Sequence, residues 1–223
     1  MSYDFQFAAV WAARDELAWG ALLTLELSAV SMVLSLIVAI LGAFGRTAGP
    51  APLRAVIAAY VEAVRNTPFL VQVFLIFFGL PAVGIRLDAN TGALIAMVLN
   101  GSAYTIEIVR AGIEAVGHGQ IEAAGALGLH RFQVFRLIVL PQALRIIFAP
   151  LGSQFILLML NSSVVSVISA DELMAAAQDV QSRTFRSFET YIVVTVIYLL
   201  LASLFSAVFN GLNRRFFPDL AKS

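Results

Sequence analysis

Long apolar stretches separated by short polar segments dominate the pattern of this chain. Several of them reach the roughly 20 residues that an α-helix needs to cross the hydrocarbon core of a bilayer. We predict spans at residues 19–44, 55–80, 91–113, 143–168 and 190–212. The chain is therefore expected to be an all-α integral membrane protein with about five transmembrane helices.

The segments outside these spans are short. Residues 1–18 mix aromatic and charged side chains, which predicts an extracytoplasmic amphipathic segment at the membrane surface. Residues 19–215 are expected to form one transmembrane domain, and residues 216–223 a cytoplasmic tail. Between spans four and five, apolar side chains recur at near-helical spacing and predict a short amphipathic helix. These positions are Leu173, Ala177 and Val180.

The segment between spans three and four is polar and charged although apolar runs flank it on both sides. Its periodicity predicts a short helix at about residues 120–127, a break at Gly128 and a second helix that ends before Pro141. Two short helices held at a membrane surface are typical of a docking knob for a soluble partner.

The spacing within this segment resembles the EAA loop of bacterial importer permeases of the ABC superfamily. Glu122, Ala123 and Ala124 are followed by Gly128, then by Ile138, Leu140 and Pro141. The resemblance implies the type I ABC importer permease fold, with residues 118–141 as the cytoplasmic coupling-helix loop that docks on a separate ATPase subunit. The expected interface residues are Glu122, Ala123, Ala124, Gly128, Phe132, Phe135, Leu140 and Pro141. The alternative is an ordinary solvated loop.

The second span contains a polar segment, Arg65 to Gln72, that resembles the polar amino acid branch of the same family. A helix broken at Pro68 exposes carbonyl and amide groups, which lipid tolerates only against protein or a cavity. We predict a substrate path or gate formed by Arg65, Asn66, Thr67, Gln72, Asn100, Glu107, Asn161, Ser162 and Ser163. The alternative is that these groups only hydrogen-bond the helices to one another.

Two features qualify this path. Many amino acid permeases have a lysine before the polar triplet of span four, whereas this chain has Leu160. Charged side chains inside spans are costly, so Glu107 is expected to pair with Arg110 or Arg65 or to face the path. Arg110 lies close enough to the end of span three to reach the headgroups.

Arginine positions predict the orientation of the chain. With the N-terminus outside and the C-terminus in the cytoplasm, the cytoplasmic segments collect twice as many basic residues as the outer ones, as the positive-inside rule requires. The cytoplasmic set is Arg46, Arg54, Arg131, Arg136, Arg145, Arg214, Arg215 and Lys222, and the outer set is Arg14, Arg86, Arg183 and Arg186. This orientation places residues 118–141 in the cytoplasm.

Composition narrows the chemistry. The chain is 60% hydrophobic and its mean hydropathy is +0.89, so we expect it to lie in a lipid bilayer. Its net charge is zero, so we do not expect a nucleic acid partner. It has no cysteine and two isolated histidines, which gives no pattern for a metal site. It lacks a GxxxxGK[ST] pattern, so ATP and magnesium are expected in the partner and no cofactor in this chain.

The resemblance implies the permease subunit of a binding-protein-dependent importer that carries a polar amino acid across the bacterial inner membrane. The expected partners are an ABC ATPase dimer, a second permease that is a copy or a paralogue, and an extracytoplasmic solute-binding protein. Alternatives are a permease for another small polar solute such as an opine or amino acid derivative, an exporter, a signalling or channel subunit, and a membrane-embedded enzyme. An enzyme would need a catalytic constellation within the spans, and the sequence offers none.

Overall fold

The computed structural model describes residues 4–217, and within that range every regular element is helical. Four helical stretches are long and apolar enough to cross a membrane: Arg14–Ala48, Ala89–Glu114, Arg131–Ile168 and Ser187–Phe216. A fifth crossing is possible if the bent pair Ala51–Arg65 and Phe69–Val83 is counted as one span. The predicted tail lies outside the described residues from position 218 onward, as does Lys222.

The helices, in chain order, have the following bounds. They are α1 Ala8–Ala12, α2 Arg14–Ala48, α3 Ala51–Arg65, α4 Phe69–Phe74, α5 Ala89–Glu114, α6 His118–Ala126, α7 Arg131–Val134, α8 Leu140–Asn161, α9 Leu173–Thr184 and α10 Ser187–Phe216. A π-helical turn, Leu75–Gly79, and a 3-10 turn, Leu80–Val83, extend α4. A π-helical turn, Phe135–Val139, joins α7 to α8, and a 3-10 helix, Ser162–Ile168, follows α8.

Small side chains allow the central helices to approach closely. A Cβ at Gly42 of α2 would meet Ile106 of α5 at 2.6 Å, and a Cβ at Gly101 of α5 would meet the Ser35 hydroxyl at the same distance. At Gly112, an added Cβ would overlap the Ile147 side chain of α8. Because lipid provides no hydrophobic force between spans, close packing of this kind holds membrane helices together.

The bundle has two distinct ends. At the α6 end lie the loop of residues 118–141, the C-terminal turn of α2 and the N-terminal part of α8. At the α9 end, α9 packs against α2, where the Leu173 amide donates to the Thr24 hydroxyl at 3.0 Å and Arg183 pairs with Glu16. Leu173, Ala177 and Val180 are buried there, so the predicted amphipathic helix is confirmed.

The structure differs from two predicted boundaries. The first long helix begins at Arg14, five residues before the predicted start of the first span, because Asp15 and Glu16 occupy the first turn of α2, where carboxylates favour a helix. The helix after Gly128 does not end before Pro141. Instead, a π-helical turn, in which the Leu140 amide donates to the Phe135 carbonyl, leads directly into Pro141 near the start of α8, where a missing amide donor is tolerated.

The second span is bent far more than a proline kink requires. The axes of α3 and of Phe69–Val83 differ by 111° across the break at residues 66–68. Pro68 has extended backbone and is the N-cap of α4, so the helical hydrogen bonds stop at Asn66 and start again beyond it. The predicted span at residues 55–80, with its break at Pro68, is therefore two helical arms at a large angle.

Candidate functional sites: the α6 loop and the broken span

The α6 loop, residues 118–141, turns sharply after its first helix. Gly128 has φ +82°, its amide donates to Gly125 O at 2.9 Å, and the Leu129 amide donates to Ala124 O at 3.2 Å. This is a Schellman motif, which satisfies the last carbonyls of α6. Nothing lies within 4 Å of a Cβ built at Gly128, so the backbone conformation, not the available space, favours glycine there.

The start of the next helix is capped by the side chain of the residue before it. The His130 Nδ1 accepts from the Gln133 amide at 3.4 Å, and the Gln133 Oε1 accepts from the His130 amide at 3.0 Å. This reciprocal capping box fixes the angle between α6 and α7. On the far side, Gln142 Nε2 of α8 donates to Gln120 Oε1 at 2.6 Å, which fastens the loop to the bundle.

The α6 loop has a small hydrophobic core of its own. The buried residues of this core are Val116, Ala124, Val134 and Val139, with Ile113, Ile121, Leu129 and Ile138 packed around them. Ala124, one of the expected interface residues, has its side chain buried inside the loop. The loop is thus a self-packed unit with a defined surface.

The other predicted interface residues lie on that surface. Phe132 is 65% exposed, and the rest of the set is exposed too: Glu122, Ala123, Gly128, Phe135, Leu140 and Pro141. The sequence reasoning missed Leu127, which is 82% exposed beside the turn at Gly128. Its place between two glycines at a helix end could have marked it. Exposed large apolar side chains on a polar loop are typical of a protein interface.

At the broken span, one side-chain amide replaces the hydrogen bonds that the proline removes. Gln72 Nε2 donates to Val64 O at 2.7 Å, to Thr67 O at 3.0 Å and to Thr67 Oγ1 at 3.0 Å. Gln72 Oε1 accepts from Asn100 Nδ2 of α5 at 3.0 Å. Gln72 and Asn100 are both buried, and their bonds hold the two arms of the span against α5.

The remaining path candidates are divided between different surroundings. Arg65, Asn66 and Thr67 are exposed at the end of α3, and Arg65 stacks on the Tyr104 ring at 5.4 Å from its centroid. Ser162 and Ser163 donate to carbonyls of their own helix, and Asn161 is half-buried. Within residues 4–217, no hydrogen bond joins Asn161, Ser162 or Ser163 to the Gln72–Asn100 pair.

Glu107 lies among basic side chains and not beside the Gln72 cluster. Its carboxylate accepts from Arg110 Nη2 at 2.7 Å, and its Oε1 lies 3.7 Å from Arg46 Nη1. Arg110 also pairs with Glu114 at 2.5 Å. The expected pairing with Arg110 is present. Arg46 was missed because the sequence placed it in a connecting segment, whereas it lies in the last turn of α2.

The α9 end contains a buried carboxylate. Glu172 caps α9, where its oxygens accept from the Ala175 amide at 2.6 Å and from the Tyr198 hydroxyl at 2.7 Å. Burial raises the pKa of the Glu172 carboxyl above its ordinary value, against the opposing effect of these hydrogen bonds. The carboxylate borders a cleft of about 620 Å³ between α2 and α9, which Trp19 and Gln178 also line.

The sequence matches a family of known proteins. The profile of the family described as binding-protein-dependent transport system inner membrane component matches residues 31–222. The chain is 35% identical to the glutamine transport system permease protein GlnP of Escherichia coli (strain K12), over 95% of this chain and 98% of that protein. It is 38% identical to the L-cystine transport system permease protein TcyB of Bacillus subtilis (strain 168), over 92% and 88%.

A solved structure shows the same fold. The crystal structure of an amino acid ABC transporter with histidines contains a chain that is 35% identical, with a TM-score of 0.89 over 96% of this chain and 100% of that one. The expected type I ABC importer permease fold is therefore confirmed.

Proposed function

Since the chain belongs to the family of binding-protein-dependent transport system inner membrane components, we propose that it is the permease subunit of an ABC importer for a polar amino acid. The relatives named above are glutamine and cystine permeases, and they cover nearly the whole chain. Two such different amino acids among similar proteins support the class of solute and not a single member of it.

The observation that carries this proposal is the apolar tip of the α6 loop. Leu127 and Phe132 are exposed on a unit that its own core and caps hold rigid. Exposed apolar side chains on a rigid support favour contact with a protein groove. The proposed partner is a dimeric ATPase, and ATP and magnesium would bind in that partner and not in this chain.

The orientation follows from charge. With the N-terminus outside, the α6 loop and the basic ends of α2 and α10 face the cytoplasm, as the positive-inside rule favours. The α9 end then faces the solute-binding protein. The native chain has no cysteine, so single variants Arg131→Cys and Phe185→Cys can each be labelled alone. An impermeant maleimide on intact cells should label only Phe185→Cys, and labelling of Arg131→Cys alone would reverse the topology.

The mechanism proposed is alternating access between two permease copies, or this chain and a paralogue, in the inner membrane. Movement of the partner ATPase would displace α6. Residues 115–117 connect α6 to α5, and the hydrogen bond between Gln120 and Gln142 connects it to α8. The polar break at Thr67 to Gln72 lies against α5 and would be carried with it. Exposed Arg65 and Asn66 beside that break can line a path for a zwitterion.

The test is transport by the assembled complex. The chain, its co-purifying ATPase and the binding protein, reconstituted in proteoliposomes, should take up a polar amino acid only with ATP and magnesium. Competition by each of the twenty amino acids identifies the solute. If an opine or another amino acid derivative were taken up and no amino acid competed, the alternative solute class would replace this proposal. If no ATPase co-purified, the importer itself would be excluded.

A further inference from the structure

The cytoplasmic ends of two helices, α2 and α5, meet at a group of charged side chains. Glu107 and Arg110 lie on α5, Arg46 lies in the last turn of α2, and Glu114 ends α5. Glu107 and Arg46 are mostly buried, with side-chain exposures of 18% and 21%. Ion pairs removed from water in this way are screened less than pairs on the surface.

Only one contact in this group joins two helices. Arg110 binds Glu107 and Glu114 within α5, at i,i+3 and i,i+4 spacing. Arg46 Nη1, by contrast, lies 3.7 Å from Glu107 Oε1 and links α2 to α5. Arg110 orients the Glu107 carboxylate through Nε and Nη2, at 3.1 and 2.7 Å, so the acceptor for Arg46 is held in place.

The surrounding packing shows why this link is needed. Beside the α6 loop, α5 is already locked to α8, because Gly112 fits tightly against Ile147. Gly42 of α2 also fits closely against Ile106 of α5, and Ala43 packs with Val109 and Ile147. Apolar contacts of this kind are non-directional. Among residues 4–217, the Arg46–Glu107 pair is the polar side-chain contact between α2 and α5 at this end.

We propose that the Arg46–Glu107 ion pair transmits movement of the α6 loop from α5 to α2, with Arg110 as the residue that positions the Glu107 carboxylate. This role rests on the proposed function, since it concerns how an ATPase partner would drive the first span. Without the pair, α5 and α8 would still follow the loop, and α2 would follow incompletely. Hydrolysis would then continue with less solute moved for each ATP.

The experiment compares matched variants in the reconstituted complex. Arg46→Gln should lower the number of solute molecules taken up for each ATP hydrolysed by about fivefold, the lower end of ordinary coupling strengths. Arg46→Lys, which keeps the charge, should recover most of that ratio. Glu114→Gln is the control, because Glu114 pairs only within α5, with 55% exposure, and should leave the ratio at the wild-type value.

A double variant separates transmission from simple loss of stability. If the pair acts as one unit, Arg46→Gln combined with Glu107→Gln should lower the ratio no further than the worse single variant. Additive losses, or an Arg46→Gln ratio equal to that of Glu114→Gln, would overturn the inference. Thermal unfolding of each variant identifies losses caused by misfolding. If the wild-type complex showed no ATP-dependent uptake, the proposed function would fail instead, so the two failures remain distinct.

Discussion

The α6 loop and the broken span arrange their side chains in opposite ways. The loop shows large apolar side chains to water, with Leu127 and Phe132 on its surface. The broken span buries polar groups, with Gln72 and Asn100 bonded to each other among apolar helices. Each arrangement is costly for an isolated chain unless something compensates. Hydrogen bonds within the chain compensate at the break, whereas the proposed ATPase partner would compensate at the loop.

The largest effect is expected on stability at the broken span, where hydrogen bonds within the chain satisfy the buried polar groups. Gln72→Leu keeps the side-chain volume but leaves Val64 O, Thr67 O and Asn100 Nδ2 without this partner. We expect a loss of about 3 kcal/mol of stability, since each buried group left unpaired costs about 1 to 3 kcal/mol. Thermal unfolding of the purified protein measures the loss. Asn66→Ala, at an exposed position of the same break, is the control, and an equal melting temperature for both variants would contradict this account.

Removing apolar surface from the loop should affect binding and not folding. Phe132→Ala is expected to weaken the affinity for the ATPase partner by about 2 kcal/mol, or roughly 30-fold, with an unchanged melting temperature. Titration of the detergent-purified chain with the partner measures this affinity. Phe185→Ala removes an aromatic ring that is 86% exposed at the opposite end of the bundle, so it should leave the affinity unchanged. Similar losses for both variants would remove the docking role of Phe132.

Substitutions at two glycines of the same loop test whether the backbone conformation at Gly128 requires glycine. Gly128→Ala should destabilise the turn by about 1 kcal/mol because alanine resists a φ of +82°. Gly125→Ala, at an ordinary helical position with open space around it, should be neutral or slightly stabilising. Amide exchange at Leu129, whose amide bonds to Ala124 O, measures the turn directly. A bulkier Gly128→Val should also weaken the stimulation of the ATPase, and wild-type stimulation would count against that consequence.

The smallest effect is expected at the α9 end, at the buried carboxyl of Glu172. Because the folded-state pKa of Glu172 is raised, the folded protein binds its proton more tightly than the unfolded chain does. Stability should therefore fall as the pH rises from the ordinary carboxyl pKa through the raised value. Glu172→Gln should flatten this dependence in melting curves recorded across mildly acidic to neutral pH. A pH dependence identical in both proteins would show that another group is responsible.

Hydrophobic pattern was enough to predict that the chain is a membrane bundle, since apolar runs of that length have few other uses. It did not place the helix ends well. Arg14, Asp15 and Glu16 are polar and yet helical, because a helix can continue past the membrane with its charges at the surface. Pro68 marked the break correctly, but the 111° bend depends on which carbonyls Gln72 reaches, and local sequence cannot specify that.

The candidate sites could also be predicted only in part. The turn at Gly128 could be predicted because a left-handed backbone strongly favours one residue type. The burial of Ala124 and the exposure of Leu127 depend on how α6 rests on residues 134–139, which belong to later helical turns of the loop. Arg46 was missed for a related reason, since its partner Glu107 lies 61 positions further along the chain. Contacts between spans follow from packing, and a single sequence shows only each helix alone.

The polar face of α3 has a consequence for how such a protein is made. Glu62 and Arg65 are exposed on this arm of the second span. Arg65 lies over the Tyr104 ring, and a charged side chain at membrane depth costs about 2.5 to 3.5 kcal/mol. If the proposed second permease covers this face, pairing would relieve that cost, and insertion of the chain would be linked to assembly of the complex.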